Sequence, residues 1–463
     1  MPHGGVTHRG EQLALLAGLA HDRATDPRIG EYLGAVEGSS LVSDADSVES
    51  VNTREIRRDY DRETKLPRRL VEEMARVAAM SSQAWMQARE KDDFGSFAPW
   101  LDQTFALARE KADAIGWTGA RYDALLDDYE PGMTTEQLSD LFAHLRTQLV
   151  PLVESLRHAP PPSPKLDRDF PLDRQRAFAE GVAVKLGFNV GQGRFDLGPH
   201  PFCSFIGPGD VRIALRYHVR NLASGFLAVM HETGHALYEQ GLDRAHYGSP
   251  MGEAVSLGIH ESQSRLWENL VGRSEGFWRH FYPSLQSGFA MQDVSLDEFR
   301  TGINHAAPGL IRVEADEVTY NLHVVIRFEL ERELLAGDLR AAELPAAWNE
   351  LYKRYLGITP DNDRNGCLQD IHWSEGLIGY FPTYTLGNVY AAQLFEAADR
   401  DVGPLEEAFA AGEFGALRTW LGEKIHRHGR RYRAPVLVEK ATGNAPDPSP
   451  LVASLSRRYT PNS

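Results

Sequence analysis

Apolar side chains recur at helical spacing through most of this chain, and that periodicity limits the fold more than any other feature. From Gln12 to about Leu156 the stripe runs through Leu13, Leu16 and Leu19, then through Leu70, Met74, Val77 and Met80, with charged residues on the opposite faces. Punctuation is sparse: Pro67 starts or kinks a helix, and Pro99, after a cap-like Ser96, precedes another that carries Trp100, Phe105 and Leu107. Residues 1–158 are therefore expected to form a helical covering region. Prolines 160, 161, 162, 164 and 171 exclude regular helix over 159–171 and make that stretch an extended connector. The remainder, 172–463, is expected to complete one structural unit with it.

Between Phe188 and His218 the pattern changes. Short runs, Phe202 to Ile206 and Val211 to Arg216, flank the turn Gly207-Pro208-Gly209-Asp210 and predict one small antiparallel sheet. Helical periodicity then returns to about Arg431, and the tail from Gly443 to Ser463 is expected to fray. The formal charge of −16 repels phosphate backbones, so nucleic acid is not an expected partner. Two cysteines, Cys203 and Cys367, are too few for a disulfide framework and fit a reducing cytoplasm. Neither an export signal nor a membrane span is expected, because no basic stretch precedes an apolar run and no 18 apolar residues occur together.

One apolar helical run, Phe226 to Gln240, contains His231-Glu232-Thr233-Gly234-His235. Histidines four apart lie one turn apart on one helix face, the spacing for two ligands of a tetrahedral zinc. Catalytic zinc sites usually take three protein ligands, so a third His, Asp or Glu must come from elsewhere. Gly241, Leu242 and Asp243 stand where a metzincin would place its third histidine, which excludes that subclass. Glu261, in the helix-like stretch His260 to Glu268, is the expected third ligand, with Gly248, Pro250 and Gly252 letting the chain turn back.

With these residues in view, the sequence resembles the carboxypeptidase Taq family of zinc metallocarboxypeptidases along nearly its whole length. The resemblance rests on six ordered motifs: His200-Pro201-Phe202; Asp210-Val211-Arg212; the HExxH; His260-Glu261-Ser262-Gln263; Ile311-Arg312 with Ala315-Asp316; and Gly366 with Gln369-Asp370 and His372-Trp373. One departure is visible, Ile213 and Ala214 after Arg212 where the family's second motif ends in threonine.

The resemblance implies His231, His235 and Glu261 as ligands of one zinc per chain, with cobalt able to substitute, and Glu232 as the catalytic base. It implies a homodimer and a mainly α, elongated helical body of the neurolysin and angiotensin-converting-enzyme kind, with a deep active-site groove beside the small sheet. His372 and Tyr384 are the expected oxyanion donors, with Tyr380 the competing phenol. Arg312 is the expected reader of a substrate carboxylate, ahead of Arg212, and His200 is expected to line the cleft. His260, Asp316 and Asp370 are candidates to orient the zinc ligands. Plainer readings stand beside these: Arg312 paired with Asp316 one turn on, His372 and Trp373 as core packing, and Tyr384 bonded to a neighbouring loop. The expected activity is release of single C-terminal residues from peptides with broad side-chain tolerance. The alternatives are an oligopeptidase or dipeptidyl carboxypeptidase on the same scaffold and, more remotely, an inactive peptide-binding scaffold.

Overall fold

A computed structural model describes residues 3–157 and 161–459. Helices dominate it, as the periodicity predicts, and none among the described residues is long and apolar enough to cross a membrane. By contacts the chain divides into two units, Met1–Glu154 with Pro308–Pro382, and Ser155–Ala307 with Thr383–Ser463. The segment 308–382, with two of the six motifs, thus clusters with the N-terminal helices and not with residues 172–307. The expected boundary at 158–159 and Pro160 lie outside the described residues.

In the first unit, the helix Arg68–Lys91 packs between Val6–Ala24 and Phe94–Ile115. The last of these is capped by Asp93, whose side chain accepts from the Ser96 backbone N–H, so the cap lies three residues before the serine that the sequence offered. Thr319–Ala336 is buried nearly all round, as its lack of a polar face requires. Its buried Glu331 accepts hydrogen bonds from Tyr122 (2.6 Å), Trp373 (2.8 Å) and the Gly379 N–H (3.2 Å), which fasten residues 373–379 to this core. Burial pushes the Glu331 carboxyl up to about 7. Trp85 reaches the same far segment by donating to the Leu368 carbonyl at 2.9 Å. Such pairings across more than 200 residues leave no periodic trace in the sequence.

The second unit carries the sheet, β1 (Gly193–Leu197), β2 (Phe202–Gly207) and β3 (Asp210–Leu215), in the order β1-β3-β2. β2 and β3 form the expected antiparallel hairpin through Pro208 and Gly209, whose φ of +84° suits the position after proline in a type II turn. The β1–β3 ladder is parallel, however, so the sheet is mixed and not wholly antiparallel. The hairpin occupies one edge of β3, and the Gly198-Pro199-His200-Pro201 passage reverses the chain after β1, which therefore lies on the other edge in the same direction as β3.

Three helices of this unit position the site: α1 (Leu222–Gly241), α2 (Leu257–Arg265) and α3 (Pro382–Val402, of which Pro382 clusters with the first unit). α1 packs on β2 and β3 and on α2. It starts at Asn221, whose side chain accepts from the Ser224 N–H, and α2 starts at Ser256, which caps Ile259 in the same way. A Cβ at Gly234 would lie 2.5 Å from the Gln263 carbonyl oxygen, and one at Gly387 would lie 2.5 Å from Glu261 Cγ. Only glycine lets α1 and α3 approach α2 so closely. The C-terminal tail, expected to fray, instead forms the helix Ser449–Tyr459, buried at Leu451, Leu455 and Tyr459 and tied by Arg458 to the Asn269 carbonyl at 3.0 Å.

Candidate metal centre

One turn of α1 and one of α2 bring together His231, His235 and Glu261, whose ligand atoms all lie within 4.8 Å of one another. His231 Nε2 and His235 Nε2 are 3.2 Å apart, and Glu261 Oε2 stands 3.7 Å from the first and 3.5 Å from the second. The outer atom of each ring is committed elsewhere. His231 Nδ1 lies 2.9 Å from Glu268 Oε2, and His235 Nδ1 lies 2.6 Å from His260 Nδ1. Glu261 Oε1 accepts from Arg265 Nε at 2.7 Å, which leaves Oε2 turned toward the imidazoles. Glu268 stands in a π-helical turn, Leu266–Val271, that directly continues α2.

Two imidazole lone pairs and a carboxylate oxygen at such separations repel one another unless positive charge lies among them. The donor set, two nitrogens and one oxygen with borderline-soft to hard character, fits a zinc ion that keeps a fourth position open. Glu261 sits well below the usual carboxylate range: its burial works the other way, but the charges of Arg265 and His231 outweigh it. Burial likewise opposes Glu268, which Arg265 and His231 hold down to about 2. The His231 imidazole is raised to about 8, with burial outweighed by Glu261 and Glu268. Burial pushes His235 down to about 3. Glu232, next to His231 and buried, is lifted to about 7 chiefly by burial and also by the charges of Glu261 and Glu268, against the pull of His231.

The remaining predicted residues are placed as follows. Tyr384 lies on α3 three residues before Gly387, hence on the helix face that meets Glu261. Arg212 stands on β3 on the face opposite Val211 and Ile213, 39% exposed and forked on Asp210 at 2.9 and 2.7 Å. Cys203, paired with Ile213, faces α1, where burial and then the charges of Glu232 and Glu239 raise its thiol. His200 is exposed between β1 and β2.

Arg312 belongs to the first unit. It is 4% exposed, with Nε and Nη2 on Asp370 Oδ1 at 3.0 and 2.8 Å and Nη1 on the Tyr320 hydroxyl at 2.9 Å. These bonds hold the guanidinium against Asp370 and Tyr320. Asp316, its plausible partner by spacing, instead caps the helix Thr319–Ala336, with Oδ1 accepting from the Val318 and Thr319 N–H groups at 2.9 and 3.0 Å. Asp370 also takes Arg327 Nε at 2.7 Å. His372 packs its ring against Tyr380 (5.4 Å) and Phe381 (4.4 Å), and burial, then Arg312, holds it down to about 3. Tyr380 stacks edgewise on Tyr129 at 5.3 Å. Sequence reasoning missed Glu239, Arg265 and Glu268. Their signal was present, since Arg265 and Glu268 follow Glu261 by four and seven residues and Glu239 follows His235 by four.

A family model described as carboxypeptidase Taq (M32) metallopeptidase matches residues 1–459. The chain is 48% identical to thermostable carboxypeptidase 1 of Thermus thermophilus, over 99% of this chain and 92% of that protein. It is 35% identical to carboxypeptidase 1 of Bacillus subtilis over the same shares. Among solved structures, the M32 carboxypeptidase of Deinococcus radiodurans superposes with a TM-score of 0.93 at 41% identity, covering 99% of this chain and 93% of that one.

Proposed function

The chain belongs to the carboxypeptidase Taq family of metallopeptidases, and from that premise we propose that it is a zinc enzyme removing single residues from the free C-termini of peptides. The observation that carries the reading is the convergence of His231 Nε2, His235 Nε2 and Glu261 Oε2, with a buried glutamate, Glu232, beside the first ligand. When bound, the ion polarises the scissile carbonyl and makes water acidic enough to attack at neutral pH. Glu232 takes the proton from the attacking water and delivers it to the departing amine. No covalent enzyme intermediate is required.

Tyr384 is assigned to donate its phenolic hydrogen to the developing oxyanion, a contact whose loss costs about 3 kcal/mol of barrier. Its support is its place one turn from Gly387 on the face of α3 that meets Glu261. Carboxylate capture by an arginine rests on the family resemblance, with Arg312 ahead of Arg212. A homodimer, tolerance of cobalt, broad specificity and a cytoplasmic setting rest on the family resemblance and the cysteine usage.

Mass spectrometry of a mixed peptide pool, digested with and without chelator, tests the reading. Stepwise loss of single C-terminal residues that stops with chelator is expected. Equal cleavage of amidated and free-acid peptides would overturn the exopeptidase assignment, and release of dipeptides would favour the neighbouring class.

A further inference from the structure

We propose that Glu239, acting through His260, fixes the tautomer and orientation of His235 and so governs how tightly the ion is retained; this rests on the metal-centre reading above. His235 and Glu239 lie one turn apart on the same face of α1, and His260, at the start of α2, places its imidazole against both. His260 Nε2 is 2.8 Å from Glu239 Oε1, and His260 Nδ1 is 2.6 Å from His235 Nδ1.

These two distances leave one consistent arrangement of hydrogens. A carboxylate only accepts, so the hydrogen of a neutral His260 sits on Nε2 and points to Glu239. Its Nδ1 is then a lone pair, and the hydrogen between the rings belongs to His235 Nδ1. That leaves His235 Nε2 free of hydrogen and aimed at His231 Nε2 and Glu261 Oε2. The rings lie 4.6 Å apart at a 34° tilt, and the same contact straps α1 to α2, the two helices that supply the ligands.

The two ligand histidines are therefore held differently. His231 has its carboxylate directly, at Glu268. His235 has its carboxylate one ring removed, at Glu239, which also lines a surface cleft with Asp243, Arg244 and Tyr247. Carboxylate partners behind a ligating histidine commonly change metal affinity 10–100-fold, and Glu239 exerts that influence as a positioning residue without touching the ligand.

The test is the zinc dissociation constant of the full chain, measured by competition with a chromophoric chelator for wild type, Glu239→Ala, Glu239→Gln, His260→Ala and the Glu239→Ala/His260→Ala pair. Glu239→Ala should weaken zinc binding about 10-fold or more. Glu239→Gln, which keeps an accepting oxygen, should restore most of the loss, and the double variant should bind no worse than His260→Ala alone. Unchanged zinc affinity in Glu239→Ala, or losses that multiply in the double variant, would overturn the proposal. Should His260→Ala fail to fold, the comparison of Glu239→Ala with Glu239→Gln decides it alone. A wild-type chain that binds no zinc would instead refute the metal-centre reading itself.

Discussion

Each contact unit buries a knot of opposite charges, and the two knots differ in what they leave unused. In the first unit Asp370 lies between Arg312 and Arg327, which also donate to Tyr320, Gln369 and the His323 carbonyl. In the second, Arg265 bridges Glu261 Oε1 and Glu268 Oε2, while Glu261 Oε2 and two imidazole nitrogens face a shared space. A buried charge cluster whose hydrogen bonds close on themselves holds segments together. One whose donor atoms converge on a shared space offers a place for a cation.

The largest break in this contrast should come from Glu261→Ala. It should take zinc content from about one per chain to near none, and activity with it, as read by elemental analysis of the purified protein. Full zinc occupancy in that variant would place the third ligand elsewhere. Glu232→Gln should keep the metal and lower kcat by roughly 10²–10⁴-fold, so steady-state rates on zinc-replete protein check the base. Near-normal turnover would remove Glu232 from that role.

Asp370→Ala should act on stability. It leaves two arginines buried without their counter-charge, which typically costs about 3–5 kcal/mol, seen as a lower denaturation midpoint with zinc content unchanged in the folded fraction. If Arg312→Ala left stability alone and abolished the preference for free-acid peptides, the knot would be a binding site. The smallest effect concerns Glu331. Its carboxyl is raised from 4.5 to about 7, so the native state holds a proton that the unfolded chain has released, and stability falls as pH rises between those values. Above pH 7 the loss amounts to about 3 kcal/mol. The stability difference between Glu331→Gln and wild type should therefore shift in favour of the variant from pH 4.5 to 7 and then level off. A constant difference across that range would show that Glu331 stays ionised in the fold.

What the sequence revealed and what it hid divide along the same line. His231, Glu232 and His235 are legible because four-residue spacing on an apolar helix carries the geometry within itself. Glu261 is legible once a third ligand is demanded. The partner of Arg312 was not, because spacing offered Asp316 while the fold supplies Asp370, 58 residues away. The grouping of 308–382 with the N-terminal helices is hidden for the same reason, since Trp85 to Leu368 and Tyr122 to Glu331 are contacts that periodicity cannot encode. The parallel β1–β3 ladder escaped because short strands announce their existence and not their neighbour, and the final helix escaped because its buried leucines lie among tail-like prolines and serines.

The glycine at 387 has a further consequence for biosynthesis. Glu261 is walled on one side by a backbone that the ribosome delivers more than a hundred residues later. A nascent chain that already carries His231, His235 and Glu261 still lacks that wall. The packing around this carboxylate is therefore complete only once residue 387 has been made.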